Sequence, residues 1–162
     1  MKKYSTHWIL LLGGIIFIGG LVVLGNFTNK PDTAKTSMGL ALQATVYKTP
    51  TCGCCHVYAQ YLEHEGLVVE TNDVPDLAPI KNQYGIPANL QSCHTSIING
   101  YVVEGHIPLA VISKLISEKP DIKGIALPGM PSGSPGMPGP KTEPWTIFAL
   151  GKDGSVSEFM KY

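Results

Sequence analysis

Three of the four cysteines lie within four residues of one another. They are Cys52, Cys54 and Cys55, and the fourth is Cys93. Cys52 and Cys55 form a CxxC pair, whereas all three together form a CxCC motif. A thiolate is both the nucleophile of disulfide exchange and a ligand for soft metals. The motif therefore fits two chemistries, thiol–disulfide exchange and metal binding.

The elements around the motif favour thiolate chemistry. Residues 44–47 are rich in strand formers, residues 55–65 have a helical pattern that ends at Gly66, and residues 67–71 predict a second strand. The cysteines thus lie at the start of a helix, where unpaired N–H groups stabilise negative charge. A thiolate there has a lowered pKa. A CxxC pair in such a βαβ unit is typical of thioredoxin-type redox sites.

Cys54 distinguishes this motif from a simple redox pair, because such a pair needs no third thiol between its members. Soft thiolates select Cu(I), Zn(II) or iron–sulfur clusters, and adjacent cysteines can bind different ions of a polynuclear cluster. Two disulfides that staple an exported domain are the alternative. Three crowded cysteines fit that alternative poorly, because small closed loops remove little entropy from the unfolded chain. Cys52 and Cys55 are predicted as the redox pair, Cys54 as a metal ligand, and Cys93 as a fourth ligand or a resolving thiol.

Further ligand candidates lie beside the cysteines and in a Pro/Gly-rich stretch. His56 and His94 each follow a cysteine and can tune a thiolate or bind metal. Met130 and Met137 lie in residues 127–140, and thioethers suit Cu(I). Packing of these methionines on the domain is the alternative. Two other histidines are assigned a solvated and a structural position, respectively: His64 and His106.

The N-terminus predicts export and anchoring. Lys2 and Lys3 precede an uncharged apolar run over residues 8–24. As a helix this run is about 25 Å long, slightly short of a full membrane span. We predict an uncleaved transmembrane anchor over residues 1–25, with a cleaved signal as the alternative. The lysines place the N-terminus in the cytoplasm, so a tether (26–43) and a domain (44–162) follow outside.

The rest of the chain predicts an α/β domain of thioredoxin-like architecture. Asp76 can cap a helix that runs to about residue 84, and residues 97–103 form a strand with an Asn-Gly turn inside. A helix opens at Pro108 and ends at Pro120. Residues 145–150 and 156–159 flank a turn and predict a hairpin.

Composition excludes several function classes. Lys+Arg equals Asp+Glu, so the formal net charge is zero and nothing resembles a nucleic-acid-binding footprint. The sequence contains no phosphate-binding Gly-rich loop and no Gly-x-Ser-x-Gly element. The cysteine motif is therefore the main chemical signal.

Three segments in order, TPTCGCCHVYAQYLEHEG, SCHTSIINGYVVEGHIP and LPGMPSGSPGM, resemble the CopG-like copper-resistance proteins of bacteria. The resemblance implies a thioredoxin-like fold, a location in the periplasm, and a role as a copper oxidoreductase. It also implies a multinuclear Cu(I) site at Cys52, Cys54 and Cys55, with Cys93 as the further family cysteine. The anchor departs from the cleaved signal expected of a periplasmic protein.

The expected partners are copper ions, a redox or copper-transport protein of the cell envelope, and the membrane through the N-terminal segment. Nucleic acid is not expected. A general thiol–disulfide oxidoreductase is one alternative function. A passive chaperone or buffer without turnover is another, with Zn(II) able to occupy the same thiolates.

Overall fold

The computed structural model describes residues 41–162. The predicted anchor (1–25) and nearly all of the predicted tether (26–43) lie outside the described residues. Within 41–162, no helix is long and apolar enough to cross a membrane.

In the described part of the chain, seven strands form one mixed sheet in the order β2-β1-β3-β4-β5-β6-β7. In chain order the strands are β1 (Gln43–Lys48), β2 (Val68–Asp73), β3 (Thr95–Ile98), β4 (Tyr101–Glu104), β5 (Gly124–Ala126), β6 (Thr146–Leu150) and β7 (Val156–Lys161). The helices are α1 (Gly53–His64), α2 (Ala78–Gln83) and α3 (Leu109–Glu118), with a short 3-10 helix at Ala88–Leu90. The predicted α/β class is confirmed.

The first three elements form the predicted βαβ unit. Strands β1 and β2 pair in parallel, and α1 connects them. Gly66 ends α1 with a positive φ of 94°, a conformation that glycine adopts without a Cβ penalty. The Gly66 N–H donates to the Glu63 carbonyl at 2.9 Å. The unit fixes the start of α1 at the end of β1.

The hairpin of β3 and β4 is built around Asn99 and Gly100. Both residues have positive φ, 50° and 82°, which suits the tight turns of antiparallel hairpins. The strand predicted over residues 97–103 is therefore two strands, and the Asn-Gly turn lies between them as expected. Because Thr95 pairs with Glu104, the chain just before β3 and the chain just after β4 lie side by side.

Helices α1 and α3 bury their apolar faces in one core cluster against the sheet. Tyr58 and Leu62 of α1 share one cluster with Ile112 and Leu115 of α3, and all four are fully buried. Full burial of such a side chain stabilises the fold by about 1.5–3 kcal/mol. A second cluster includes Leu90 of the 3-10 helix.

Two elements differ from expectation in detail. Asp76 accepts the Ala78 N–H at 2.9 Å as predicted, but α2 covers only Ala78–Gln83. Strand β5 was not predicted, because Gly-Ile-Ala is too short to show a period. Its Gly124 lies so close to β4 that an added Cβ would be 2.0 Å from the Val102 carbonyl oxygen. The predicted terminal hairpin is present as β6 and β7.

Candidate metal centre

The CxCC cysteines occupy the first turn of α1, as the sequence predicts. Cys52 immediately precedes the helix, and its carbonyl accepts the His56 N–H at 3.2 Å. Cys52 and Cys55 are joined by a disulfide with their Cα atoms 5.3 Å apart. Cys55 is fully buried, whereas Cys54 is a free, partly exposed thiol.

Cys93 joins this turn from the loop before β3. The antiparallel pairing of β1 with β3 sets Tyr47 opposite Thr95, which brings the residues before Thr95 beside the end of β1. The Cys54 Sγ lies 3.6 Å from the Cys52 Sγ and 3.8 Å from the Cys93 Sγ. All four sulfur atoms lie within 4.8 Å of one another. Once the disulfide is reduced, one ion, or several bridged ions, can contact all four.

His106 lies against Cys93. Its Nε2 is 3.0 Å from the Cys93 Sγ, and its Nδ1–H donates to the Pro135 carbonyl at 2.6 Å. This donation leaves the Nε2 lone pair directed at the sulfur, where it can accept the thiol proton or hold a soft ion.

His94 completes a second ligand group with Cys93 and His106. Its Nδ1 lies 3.4 Å from the Cys93 Sγ, and its fully buried Nε2 has no hydrogen-bond partner among the described residues. His94 was a predicted candidate, whereas His106 was assigned a structural position. The hairpin could have revealed His106, because Cys93 lies six residues before Asn99 and His106 lies six residues after Gly100.

Burial keeps the metal-free site uncharged at Cys93 and both histidines. Burial, together with the neighbouring Cys54, raises the pKa of the Cys93 thiol to about 12. Burial also lowers the pKa of His94 and of His106. The prediction of acidic thiols rested on the helix start, and Cys93 is not on that helix. A metal must therefore displace a proton from Cys93.

We expect the metal-free protein to lose stability in acid because of these histidines. With folded pKa values below the unfolded value of about 6.5, the unfolded chain binds more protons as the pH falls. The free energy of unfolding should decrease below pH ~6.5 by up to about 1.4 kcal/mol per pH unit for each histidine. Urea unfolding at several pH values measures this slope. His106→Gln should reduce it, and an equal slope in His106→Gln and the parent would contradict the expectation. The exposed His64→Ala serves as control.

The Pro/Gly-rich stretch covers the site. A Cβ added to Gly136, whose φ is 83°, would lie 2.9 Å from the Cys54 carbonyl oxygen and 3.0 Å from the Tyr58 nitrogen. Met137 is partly buried in the same stretch, and Met130 is half exposed. Their roles as ligands stay predictions. His56 is exposed on α1.

Gly136→Ala should displace the stretch from α1. The added methyl meets backbone atoms, and the left-handed φ disfavours any residue with a Cβ, so we expect a loss of about 1–3 kcal/mol in the free energy of unfolding. Urea unfolding and the rate of Cys54 alkylation measure the two effects. Gly154→Ala is the matched control, because Gly154 has a similar φ of 86° but no described residue would lie within 4 Å of an added Cβ. Equal effects of the two changes would show that close packing on α1 is unimportant.

A buried ionic cluster around Glu104 holds the loop that carries Cys93 in place. The Glu104 carboxylate is fully buried, pairs with Lys81, and accepts the Ser92 N–H at 2.7 Å and the Thr95 hydroxyl at 2.6 Å. Ser92 and Thr95 flank Cys93 and His94 in the chain. Glu104 therefore fixes both ends of the segment that carries these two side chains.

Fold and site together define a class: α/β domains with a thiol cluster at a helix start that can bind a metal ion. Two solved structures entitled "Copper resistance protein copG", Form 2 and Form 1, are 38% identical in sequence to the chain, with TM-scores of 0.70 and 0.69. Each match covers 75% of this chain and 98% of the other. The chain belongs to the CopG-like copper-resistance family, which confirms the resemblance predicted from its three segments.

The family described as "Protein of unknown function, DUF411" matches residues 90–137, which include Cys93, His94 and His106. No curated protein matches the chain.

Proposed function

We propose that the chain binds Cu(I) as its substrate through Cys52, Cys54, Cys55 and Cys93 and exchanges electrons with copper as part of copper resistance. The supporting observation is the set of four sulfur atoms within 4.8 Å, two of them joined as a disulfide and two free. Family membership supports the choice of copper. We interpret the β1-α1-β2 unit, with β3 and β4 beside it, as a thioredoxin-like core.

Sulfur crowding favours Cu(I) over Zn(II). Thiolates are soft ligands, and Cu(I) is the softer of the two ions. Zn(II) takes four ligands in a tetrahedron, whereas two adjacent cysteines in one helical turn suit bridged ions. His106 Nε2 and His94 Nδ1 can add nitrogen ligands on the Cys93 side.

The redox step uses the Cys52–Cys55 bond. When two Cu(I) ions each give one electron, the S–S bond breaks and two thiolates and two Cu(II) ions result. In the reverse direction, two Cu(II) ions take one electron each, the two thiols lose their protons to the solvent, and the S–S bond forms. The dithiol state binds Cu(I), and the disulfide state lacks two of the four ligands.

Metal titration of the reduced, purified full chain under nitrogen tests this proposal. Cu(I) is added against a competing Cu(I) chelator, and Zn(II) is titrated in parallel. We expect more than one Cu(I) per chain, and retention of Cu(I) in the presence of excess Zn(II). Saturation by one Zn(II) ion without preference for Cu(I) would overturn the proposal.

General thiol–disulfide exchange is the second candidate, and the Cys52–Cys55 disulfide favours it. Cys52 would attack a substrate and Cys55 would resolve the mixed disulfide. Cys54→Ser separates the candidates, since disulfide exchange needs only the CxxC pair. Full turnover of a peptide disulfide by Cys54→Ser, together with undiminished copper binding, would favour this candidate.

We also propose that the domain acts outside the cytoplasm, held at the inner membrane by residues 1–25. The supporting feature is Lys2-Lys3 followed by the uncharged run 8–24. Membrane fractionation with protease added to spheroplasts tests this. A protein released by osmotic shock and lacking its first residues would instead indicate a cleaved signal.

A further inference from the structure

We propose that Cys54 and Cys93 form a second dithiol–disulfide couple, so that the fully oxidised site contains two disulfides. The inference rests on the proposed copper function only for its physiological oxidant, Cu(II). It extends that function from one two-electron couple to two.

The two free sulfur atoms are already neighbours. The Cys54 Sγ and Cys93 Sγ lie 3.8 Å apart, and both side chains are partly exposed. A disulfide has an S–S distance of about 2.05 Å, so the two atoms must approach by roughly 2 Å. Side-chain rotation can supply a movement of this size.

Neither of the two free thiols, Cys54 and Cys93, has a better-placed cysteine with which to form a disulfide. Cys54 is adjacent to Cys55, and neighbouring residues rarely meet the geometry of a disulfide. Cys52 and Cys55 are bonded to each other. Among the four cysteines, Cys93, which is 39 residues away in sequence, is therefore the remaining partner in contact with Cys54.

The fold holds Cys93 in place for this reaction. Glu104 accepts hydrogen bonds from Ser92 and Thr95 on either side of the Cys93-His94 segment. Fixing one reacting group near another raises the effective concentration and favours the intramolecular bond. An intermolecular disulfide between two chains must compete with this proximity.

Cu(II) is the oxidant that closes the Cys54–Cys93 disulfide. Each thiol gives one electron to one Cu(II) ion and releases its proton to the solvent, and the products are one S–S bond and two Cu(I) ions. The site then has three states, with four, two or no thiols. The intermediate state retains Cys54 and Cys93 beside His106 for a copper ion, and the fully oxidised state offers no thiolate and releases it.

Stepwise oxidation of the full chain in mild detergent tests the inference. The reduced, copper-free protein is treated under nitrogen with Cu(II) and a Cu(I)-selective chelator, and in a second arm with diamide and no copper. Alkylation followed by intact mass gives the number of free thiols, and the chelator complex gives the Cu(I) formed. We expect no free thiol in either arm and a twofold larger yield of Cu(I) than closure of the Cys52–Cys55 bond alone.

Tryptic mapping assigns the bond. The fragments 49–81 and 82–114 each carry one partner, so we expect them to be linked in the parent but separate in Cys54→Ser and in Cys93→Ser, which each keep one alkylatable thiol. Ser96→Ala, a conservative change in β3, should keep the link and serves as control.

The two arms separate the two proposals. Linkage by diamide without Cu(I) formation in the copper arm would support the second couple and contradict the copper redox function. Two alkylated thiols at Cys54 and Cys93 in both arms, with the fragments unlinked, would overturn the second couple and leave the copper function standing. Linkage that persists in Cys54→Ser would also overturn it, because Cys93 would then be pairing with another cysteine.

Discussion

Cys54→Ser should lower the Cu(I) affinity of the reduced protein by roughly 100-fold or more. Loss of a residue that only hydrogen-bonds to a metal ligand already lowers the metal affinity by about 10–100-fold, and Cys54 is proposed as a ligand itself. Cys54 is the central sulfur of the cluster, 3.6 Å from the Cys52 Sγ and 3.8 Å from the Cys93 Sγ. Its loss removes the atom best placed to bridge two ions. We therefore also expect fewer Cu(I) ions per chain, measured by chelator competition under nitrogen.

The Cys54→Ser protein should keep its fold. The side chain is partly exposed, and Cys52 and Cys55 can still form their disulfide. Circular dichroism and urea unfolding check this point, and His64→Ala, exposed on the same helix, is the control for copper affinity. An unchanged affinity and stoichiometry in Cys54→Ser would mean that the CxCC motif acts only as a CxxC pair.

Glu104→Ala should destabilise the protein by about 3–5 kcal/mol, because breaking a buried ion pair leaves its partner charged and unpaired. Lys81 is the partner, and it is almost fully buried. The Ser92 N–H and the Thr95 hydroxyl lose their acceptor at the same time. Urea unfolding of the copper-free protein measures the loss.

Two variants separate the ion pair from ordinary surface charge. Asp121→Ala removes the exposed partner of Lys152 and should change the stability by less than about 1 kcal/mol. The double variant Lys81→Met, Glu104→Gln removes both buried charges and should recover part of the loss, since neutral replacement of a buried pair is often tolerated. A Glu104→Ala effect no larger than that of Asp121→Ala would contradict the buried cluster.

Local signals in the sequence were sufficient for the elements that carry the CxCC motif. The βαβ unit was predicted from the strand formers before Cys52, the apolar stripe of a helix after it, and Gly66 at the helix end. Each of these features acts over only a few residues. The Asn99-Gly100 turn was equally visible. Strand β5 was not, because its three residues depend on pairing with β4 and β6 rather than on any pattern of their own.

The second half of the site depends on contacts between distant segments. The spacing of Cys54 and Cys93 in the sequence does not show that the two residues are close in space. Their proximity arises from the pairing of β1 with β3. His106 illustrates the same limit, since its contact with Cys93 follows from hairpin register. The buried Lys81–Glu104 pair gave no signal either, because charged residues are ordinarily exposed.

Copper K-edge X-ray absorption of the Cu(I)-loaded, desalted protein measures whether the cysteine sulfurs hold the copper. We expect a Cu(I) edge with sulfur as the main neighbouring atom, and a nearby copper scatterer when more than one ion is bound. A coordination shell of nitrogen and oxygen without sulfur, or complete loss of copper on desalting, would contradict it.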